Sequence, residues 1–183
     1  MIPFPDKKYD IIYADPPWKY KENGAGNRTL TANCGYELMD IDEICKLPIS
    51  NITKENCILF MWVTFPRLED GLKTIKAWGF QYHSLGFNWV KLNKKSDTPF
   101  WGMGFYTRQN AEICLISVKG KRIHPEVRNI HSVILSKVEE HSRKPDIARS
   151  GIEKLFPKAE KMELFAREKH EGWDVWGNEV QNQ

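Results

Sequence analysis

Tyr9-Asp10-Ile11-Ile12-Tyr13-Ala14 runs directly into Asp15-Pro16-Pro17-Trp18. The first six residues are mostly apolar and β-prone, and they read as a buried strand. Two consecutive prolines then forbid further ladder pairing, so the strand stops with Asp15 at its carboxyl end. Cys57 to Val63 is a second apolar run without interruption, as suits a central parallel strand covered on both faces. Pro66 to Trp78 predicts a helix closed by Gly79, with Leu68, Leu72, Ile75 and Trp78 turned inward. Asp40-Ile41-Asp42-Glu43 has capping-box spacing and opens a short helix that ends before Pro48. His83 to Lys91, Glu112 to Val118 and Met162 to Ala166 are further strand candidates. Lys144 to Phe156 is a further helix, and 20–36 reads as a loop. Strands alternating with helices imply an α/β domain with a mostly parallel sheet and helices on both faces. Ligands in such sheets gather at the carboxyl ends of strands, where Asp15, Thr64, Lys91 and Arg167 are expected to stand.

Working outward, 183 residues fit one domain spanning 1–183, and 41% hydrophobic with 28% charged residues is ordinary for a soluble fold. The four cysteines, Cys34, Cys45, Cys57 and Cys114, form no Cys-x-x-Cys pair, and no His stands at zinc-site spacing. A metal site is therefore not expected, and the thiols read as reduced. The first residues lack the basic start and apolar stretch of a signal peptide, and no run of 18 apolar residues occurs. A cytoplasmic location is the expectation. The net charge of +3 is unevenly placed: between residues 88 and 138 nine Lys and Arg face three acidic residues, which leaves the remainder net acidic. Such clustering suits a surface that contacts phosphates.

Asp-Pro-Pro-Trp after a buried strand carries specific chemistry. The exocyclic nitrogen of adenine is a poor nucleophile because its lone pair is delocalised into the ring. A carboxylate and a backbone carbonyl accepting its two N–H hydrogens would orient the amine and stabilise positive charge as it attacks. Asp15 and the Pro16 carbonyl suit that task, Pro17 rigidifies the turn, and Trp18 offers a flat surface for the target ring.

Beyond this motif, the chain carries Cys57-Ile58-Leu59-Phe60-Met61-Trp62-Val63-Thr64, Trp78-Gly79-Phe80, Trp89-Val90-Lys91, Glu112-Ile113-Cys114-Leu115 with Val118-Lys119-Gly120, His141-Ser142-Arg143-Lys144-Pro145, Glu163-Leu164-Phe165-Ala166-Arg167 and Gly177-Asn178-Glu179. In this order and spacing the series resembles the MT-A-type adenine-N6 methyltransferases over nearly the whole chain. The resemblance implies a Rossmann-like S-adenosylmethionine-dependent methyltransferase fold with permuted motif order. It implies that Asp15, Pro16, Pro17 and Trp18 are the catalytic motif, and that Asp15 and Lys91 hold the methionine end of S-adenosylmethionine. By the same resemblance Arg167 binds the cofactor ribose, while Asn178 and Glu179 lie near the ribose and adenine edge. Glu179 stands where the eukaryotic catalytic subunit has an amide, and a carboxylate accepts but cannot donate. Larger relatives clamp the cofactor adenine with residues upstream of the motif. Only fourteen residues precede Asp15, so that clamp is expected to be weaker or built from elsewhere.

Tyr36 falls where the family has a loop residue that closes toward the donor methyl. Pro99 to Tyr106 is rich in Gly and aromatic residues and is flanked by Lys94, Lys95 and Arg108. Trp101 with these cations can stack on exposed bases and hold phosphates. The expected partner is nucleic acid, with DNA favoured over RNA because the chain resembles bacterial and phage forms and lacks the zinc-finger extension of the messenger-RNA enzyme. No membrane partner is expected. A homodimer or a related subunit stays open. The rival readings are an RNA adenosine methyltransferase, a catalytically silent nucleic-acid-binding subunit, and a methyltransferase acting on an amide. The intact Asp15 to Trp18 motif argues against the silent subunit, and Trp18 in place of a smaller aromatic favours adenine over an amide.

Overall fold

The computed structural model describes residues 3–19, 37–104, 106–139 and 143–180. Seven strands form one sheet: β1 (Tyr9–Ala14), β2 (Thr53–Val63), β3 (Gln81–Leu92), β4 (Ala111–Lys119), β5 (Val133–Lys137), β6 (Lys161–Leu164) and β7 (Asp174–Trp176). Their spatial order is β5-β3-β4-β2-β1-β6-β7. Every neighbouring pair is parallel except the two that involve β4, which runs against β2 and β3. The reversal follows from connectivity. The chain leaves β3 at Leu92 and returns through residues 93–110 at the same sheet edge, so β4 must descend, whereas β2 and β3 are joined by a helical crossover.

Among the described residues the α-helices are α1 (Ile41–Cys45), α2 (Leu68–Ala77) and α3 (Asp146–Leu155). Side chains alternate across each strand, which explains why the β2 run is apolar throughout. Cys57, Leu59, Met61 and Val63 join a cluster with Ile44 of α1 and Ile75 of α2. Ile58, Phe60 and Trp62 join a second cluster with Ala148 and Ile152 of α3. Ile12 and Ala14 of β1 divide from Ile11 and Tyr13 in the same way.

The capping box at α1 forms as expected, with the Asp40 N–H donating to Glu43 Oε2 at 2.8 Å. A 3₁₀ turn over Phe65–Arg67 precedes α2. Gly79 ends the helix in the left-handed region at φ 80°, with the Phe80 N–H bonded to the Ile75 carbonyl at 3.0 Å and the Gly79 N–H to that of Lys76 at 3.1 Å. This is a Schellman closure. The inward face differs from expectation at one place, because Leu72 is 39% exposed. Ile75 and Trp78 are buried as expected, and Gly71 and Thr74 are buried with them. A Cβ at Gly71 would lie 2.7 Å from Val63 Cγ2, so only glycine lets the helix sit this close to β2. Strands β5 and β7 were not anticipated, and 20–36 lies outside the described residues.

The site-forming feature is the pair β1 and β6. They are parallel neighbours, with Ala14 opposite Leu164. From β1 the chain moves to β2 on one side, and from β6 it moves to β7 on the other. Their carboxyl ends therefore flank a topological switch point, where the diverging connections leave a crevice. Asp15 follows β1 directly, and Arg167 comes three residues after β6.

Candidate active site

The turn after β1 is held by its own backbone. The Trp18 N–H donates to the Pro16 carbonyl at 2.9 Å, a three-residue turn centred on Pro17, whose ring presets the required φ. The Met39 N–H donates to the Pro17 carbonyl at 2.9 Å, and the Lys19 N–H to that of Met39 at 3.2 Å. The Pro16 carbonyl keeps a second lone pair for another donor. Trp18 departs from expectation. It is 7% exposed within the same core cluster as Ile44, so it supports the turn from beneath and does not lie open as a flat surface. Its indole Nε1 is buried with no hydrogen-bond partner among the described residues.

Asp15 is the end of a chain of alternating charges. Lys144 Nζ donates to Asp15 Oδ2 at 2.6 Å and lies 3.3 Å from Glu112 Oε2, while Lys91 donates to the other oxygen of Glu112. Four separate elements supply these groups. Asp15 follows β1, Lys91 nears the end of β3, and Lys144 precedes α3. Glu112 reaches the same edge because β4 is reversed and begins where its neighbours finish. Helix α3 is fastened to β6 by a two-pronged ion pair, with Arg149 Nε and Nη2 each 3.0 Å from a Glu163 oxygen. Pro145 disfavours helical backbone at Lys144, whose ammonium lies 5.8 Å from the Trp62 ring centre.

Burial sets the electrostatics of this group. It pushes the Asp15 carboxyl above its ordinary value, against the opposing pull of Lys144. Burial acts the same way on Glu112, but Lys144 and Lys91 overcome it and hold that carboxyl below the usual range. Burial would discharge Lys144, yet Asp15 and Glu112 outweigh it and keep the ammonium firmly protonated.

Across the crevice, Arg167 Nε lies 3.6 Å from Glu179 Oε1. The Ala166 N–H donates to the Trp176 carbonyl at 3.1 Å, which clips the ends of β6 and β7 together. Phe165, between β6 and Arg167, has φ 61°, an uncommon conformation for an aromatic residue and one that concentrates at functional turns. A Cβ at Gly177 would fall 2.2 Å from the Ala166 carbonyl oxygen, so the backbones here touch. Asn178 is exposed beside this cradle.

The segment after β3 is tightly tied. The Asn93 N–H meets the Thr98 carbonyl at 3.0 Å and the Phe100 N–H meets that of Lys91 at 2.8 Å, which leaves Lys94 and Lys95 exposed on the turn. Gly102 and Gly104 let the chain double back, because a Cβ on either would lie under 2 Å from the carbonyl oxygen of Gln109 (1.7 Å) or Thr107 (1.9 Å). Trp101 is 72% exposed, and the Arg108 guanidinium lies 5.0 Å from its ring centre. Lys119 pairs with Cys57 at the opposite sheet edge, so the basic stretch that it begins is remote from Asp15. Tyr36 lies outside the described residues.

Sequence reading missed Lys144 and Glu112 as site residues. The available signals were a lysine pinned before a proline and an acid opening an otherwise apolar strand. Lys91, expected at the cofactor, is engaged by Glu112 and lies 4.9 Å from the Trp89 ring centre.

A mostly parallel sheet with helices on both faces and a charged crevice at its switch point defines a Rossmann-like α/β domain. The chain belongs to the MT-A70 family, whose profile matches residues 9–179. It is 35% identical to the type II methyltransferase M.MunI of Mycoplasma sp over 96% of this chain and 79% of that protein. It is 33% identical to the N(6)-adenosine-methyltransferase MT-A70-like of Arabidopsis thaliana over 94% of this chain, and 30% identical to human N(6)-adenine-specific methyltransferase METTL4 over 95%. The match spans only 24% and 38% of those two longer proteins. Among the described residues no helix is long and apolar enough to cross a membrane.

Proposed function

We propose that this protein transfers a methyl group from S-adenosylmethionine to the N6 amine of adenine in nucleic acid, with DNA as the favoured substrate. The observation that carries the reading is the Asp15 carboxylate at the switch-point crevice, paired with Lys144 at 2.6 Å and followed by a rigid proline turn. The family assignment supports the same chemistry. DNA is favoured because M.MunI, a type II methyltransferase, is the relative here whose length the match covers most fully.

The residues present fit the cofactor. Its amino-acid end carries both charges, and the crevice offers carboxylates and ammoniums side by side in Asp15, Lys144, Glu112 and Lys91. Its ribose hydroxyls both donate and accept, which suits Arg167 and Glu179 across the crevice, with Asn178 beside them. Gly177 keeps that cradle free of a side chain. When bound, the cofactor supplies an electrophilic sulfonium methyl.

Asp15 accepts one N–H of the amine and the Pro16 carbonyl accepts the other, which turns the nitrogen lone pair toward the incoming methyl. Positive charge that grows on nitrogen is stabilised by the Asp15 carboxylate in a water-poor setting. The surplus proton then leaves to Asp15 or to water. Lys94, Lys95 and Arg108 hold phosphates, and Trp101 stacks on a base; in a duplex the target adenine must also leave its stack.

The test is tritiated methyl transfer to matched adenine-containing DNA, RNA and a glutamine-bearing peptide, side by side. Label in DNA above RNA supports the proposal in full, and label in RNA alone corrects the substrate. Label only in peptide, or in none, contradicts it.

A further inference from the structure

We infer that Lys144 is a positioning residue that keeps Asp15 ionised and aimed, and that Glu112 in turn holds Lys144 in place as the cation shared between the two carboxylates. The inference rests on the reading of Asp15 as the acceptor of the target amine. It is carried by geometry. Lys144 is 129 positions from Asp15 in sequence, yet its ammonium is 2.6 Å from Oδ2 and 3.3 Å from Glu112 Oε2. The Lys144 and Glu112 side chains are each only 13% exposed, and Asp15 is 30% exposed. Charges this deep are tolerated only as paired groups, and removing one partner leaves the other uncompensated.

Among the described residues, the groups that face Asp15 are Lys144 before α3, Glu112 and Cys114 on β4, and Arg167 after β6. Of these, Lys144 donates a 2.6 Å hydrogen bond to the carboxylate. Without it, Asp15 confronts Glu112 directly, and burial already favours the neutral acid. The Asp15 pKa then rises further. A carboxylate that must be ionised works above its pKa and is lost as pH falls through it, so the acidic limb of the rate profile must move to higher pH. Removing the Glu112 charge acts oppositely on that limb, because a like charge disappears while Lys144 stays. Its cost is a less firmly held lysine.

The experiment is single-turnover methyl transfer to an adenine-containing oligonucleotide across acid to alkaline pH, for wild type, Lys144→Met, Lys144→Arg, Glu112→Gln and Asp15→Asn. A carbon-13 titration of the Asp15 carboxyl without substrate accompanies it. Lys144→Met should move the acidic limb and the Asp15 titration up by about one pH unit or more, with rate recovered in alkali. Lys144→Arg should keep both near wild type. Glu112→Gln should slow transfer without any upward shift. A purely structural role lowers the rate of Lys144→Met by one factor at every pH and leaves the titration in place, and that result overturns the inference. If Lys144→Met does not fold, an upward shift in Glu112→Gln overturns it equally. Wild-type turnover in Asp15→Asn would instead remove the Asp15 reading, while the titration still reports whether Lys144 holds that carboxylate ionised.

Discussion

Ala14 and Leu164 stand opposite one another at the carboxyl ends of two parallel strands, and the chain leaves them in opposite directions. That pairing brings Asp15 and Arg167 to one crevice although 152 positions separate them. In the function proposed above it also divides their work, with the reacting amine at Asp15 and the cofactor ribose at Arg167.

Arg167→Ala should therefore weaken binding of S-adenosylhomocysteine, the cofactor product, by about tenfold or more, at about 1.4 kcal/mol for each factor of ten. Oligonucleotide affinity should change much less. Calorimetric titration with each ligand measures both, and unchanged cofactor affinity would take Arg167 out of the site.

The basic turn and the exposed tryptophan should separate by salt. Neutralising Lys94, Lys95 and Arg108 together should flatten the plot of log affinity against log salt, by about 0.9 for each lost contact on duplex or about 0.7 on a single strand. Trp101→Ala should weaken binding by about 1 to 3 kcal/mol with the slope preserved. Fluorescence anisotropy over a salt series reads both. A parental slope in the triple variant would move the substrate channel elsewhere.

Stability should depend on the joint between the two small helices. Trp78 is 2% exposed, and its Nε1 donates to the Ile44 carbonyl at 2.8 Å, which ties α2 to α1. That carbonyl also accepts from the Leu47 N–H at 3.2 Å, so Trp78→Phe removes one of its two donors and should cost about 0.5 to 1.5 kcal/mol for the lost bond. Urea unfolding measures the loss, and a midpoint equal to wild type would show that the joint contributes nothing.

Much of this architecture was legible in the chain because single segments dictated it. The apolar β1 and β2 runs, the proline stop at Asp15 and the Gly79 closure each rest on local chemistry. What was not legible depended on partners far away in sequence. β4 runs backward because of where residues 93–110 turn, and nothing within Ala111–Lys119 encodes that. Gly71, not Leu72, faces β2 because Val63 occupies the space that a side chain would need. β5 is a short edge strand and β7 spans three residues, too few for a period-two pattern to emerge. Trp18 was recognised as part of the motif, but whether its ring faces ligand or core is decided by Met39 and α1. Likewise Lys91 was placed at the right edge, while its engagement by Glu112 required the reversed strand.

The most direct test of the central claim is to identify the methylated atom. An adenine-containing DNA duplex is incubated with S-adenosylmethionine and either wild type or Asp15→Ala, digested to nucleosides and analysed by mass spectrometry. Removing Asp15 leaves Lys144 with Glu112 as its remaining carboxylate, so the thermal unfolding midpoint is measured alongside and turnover is compared at a temperature where both proteins are folded. The account predicts N6-methyldeoxyadenosine from wild type and a rate lower by about 100-fold or more from the variant, as expected for losing one well-placed acceptor. Methylation at another atom, or near-normal turnover by Asp15→Ala, would contradict it.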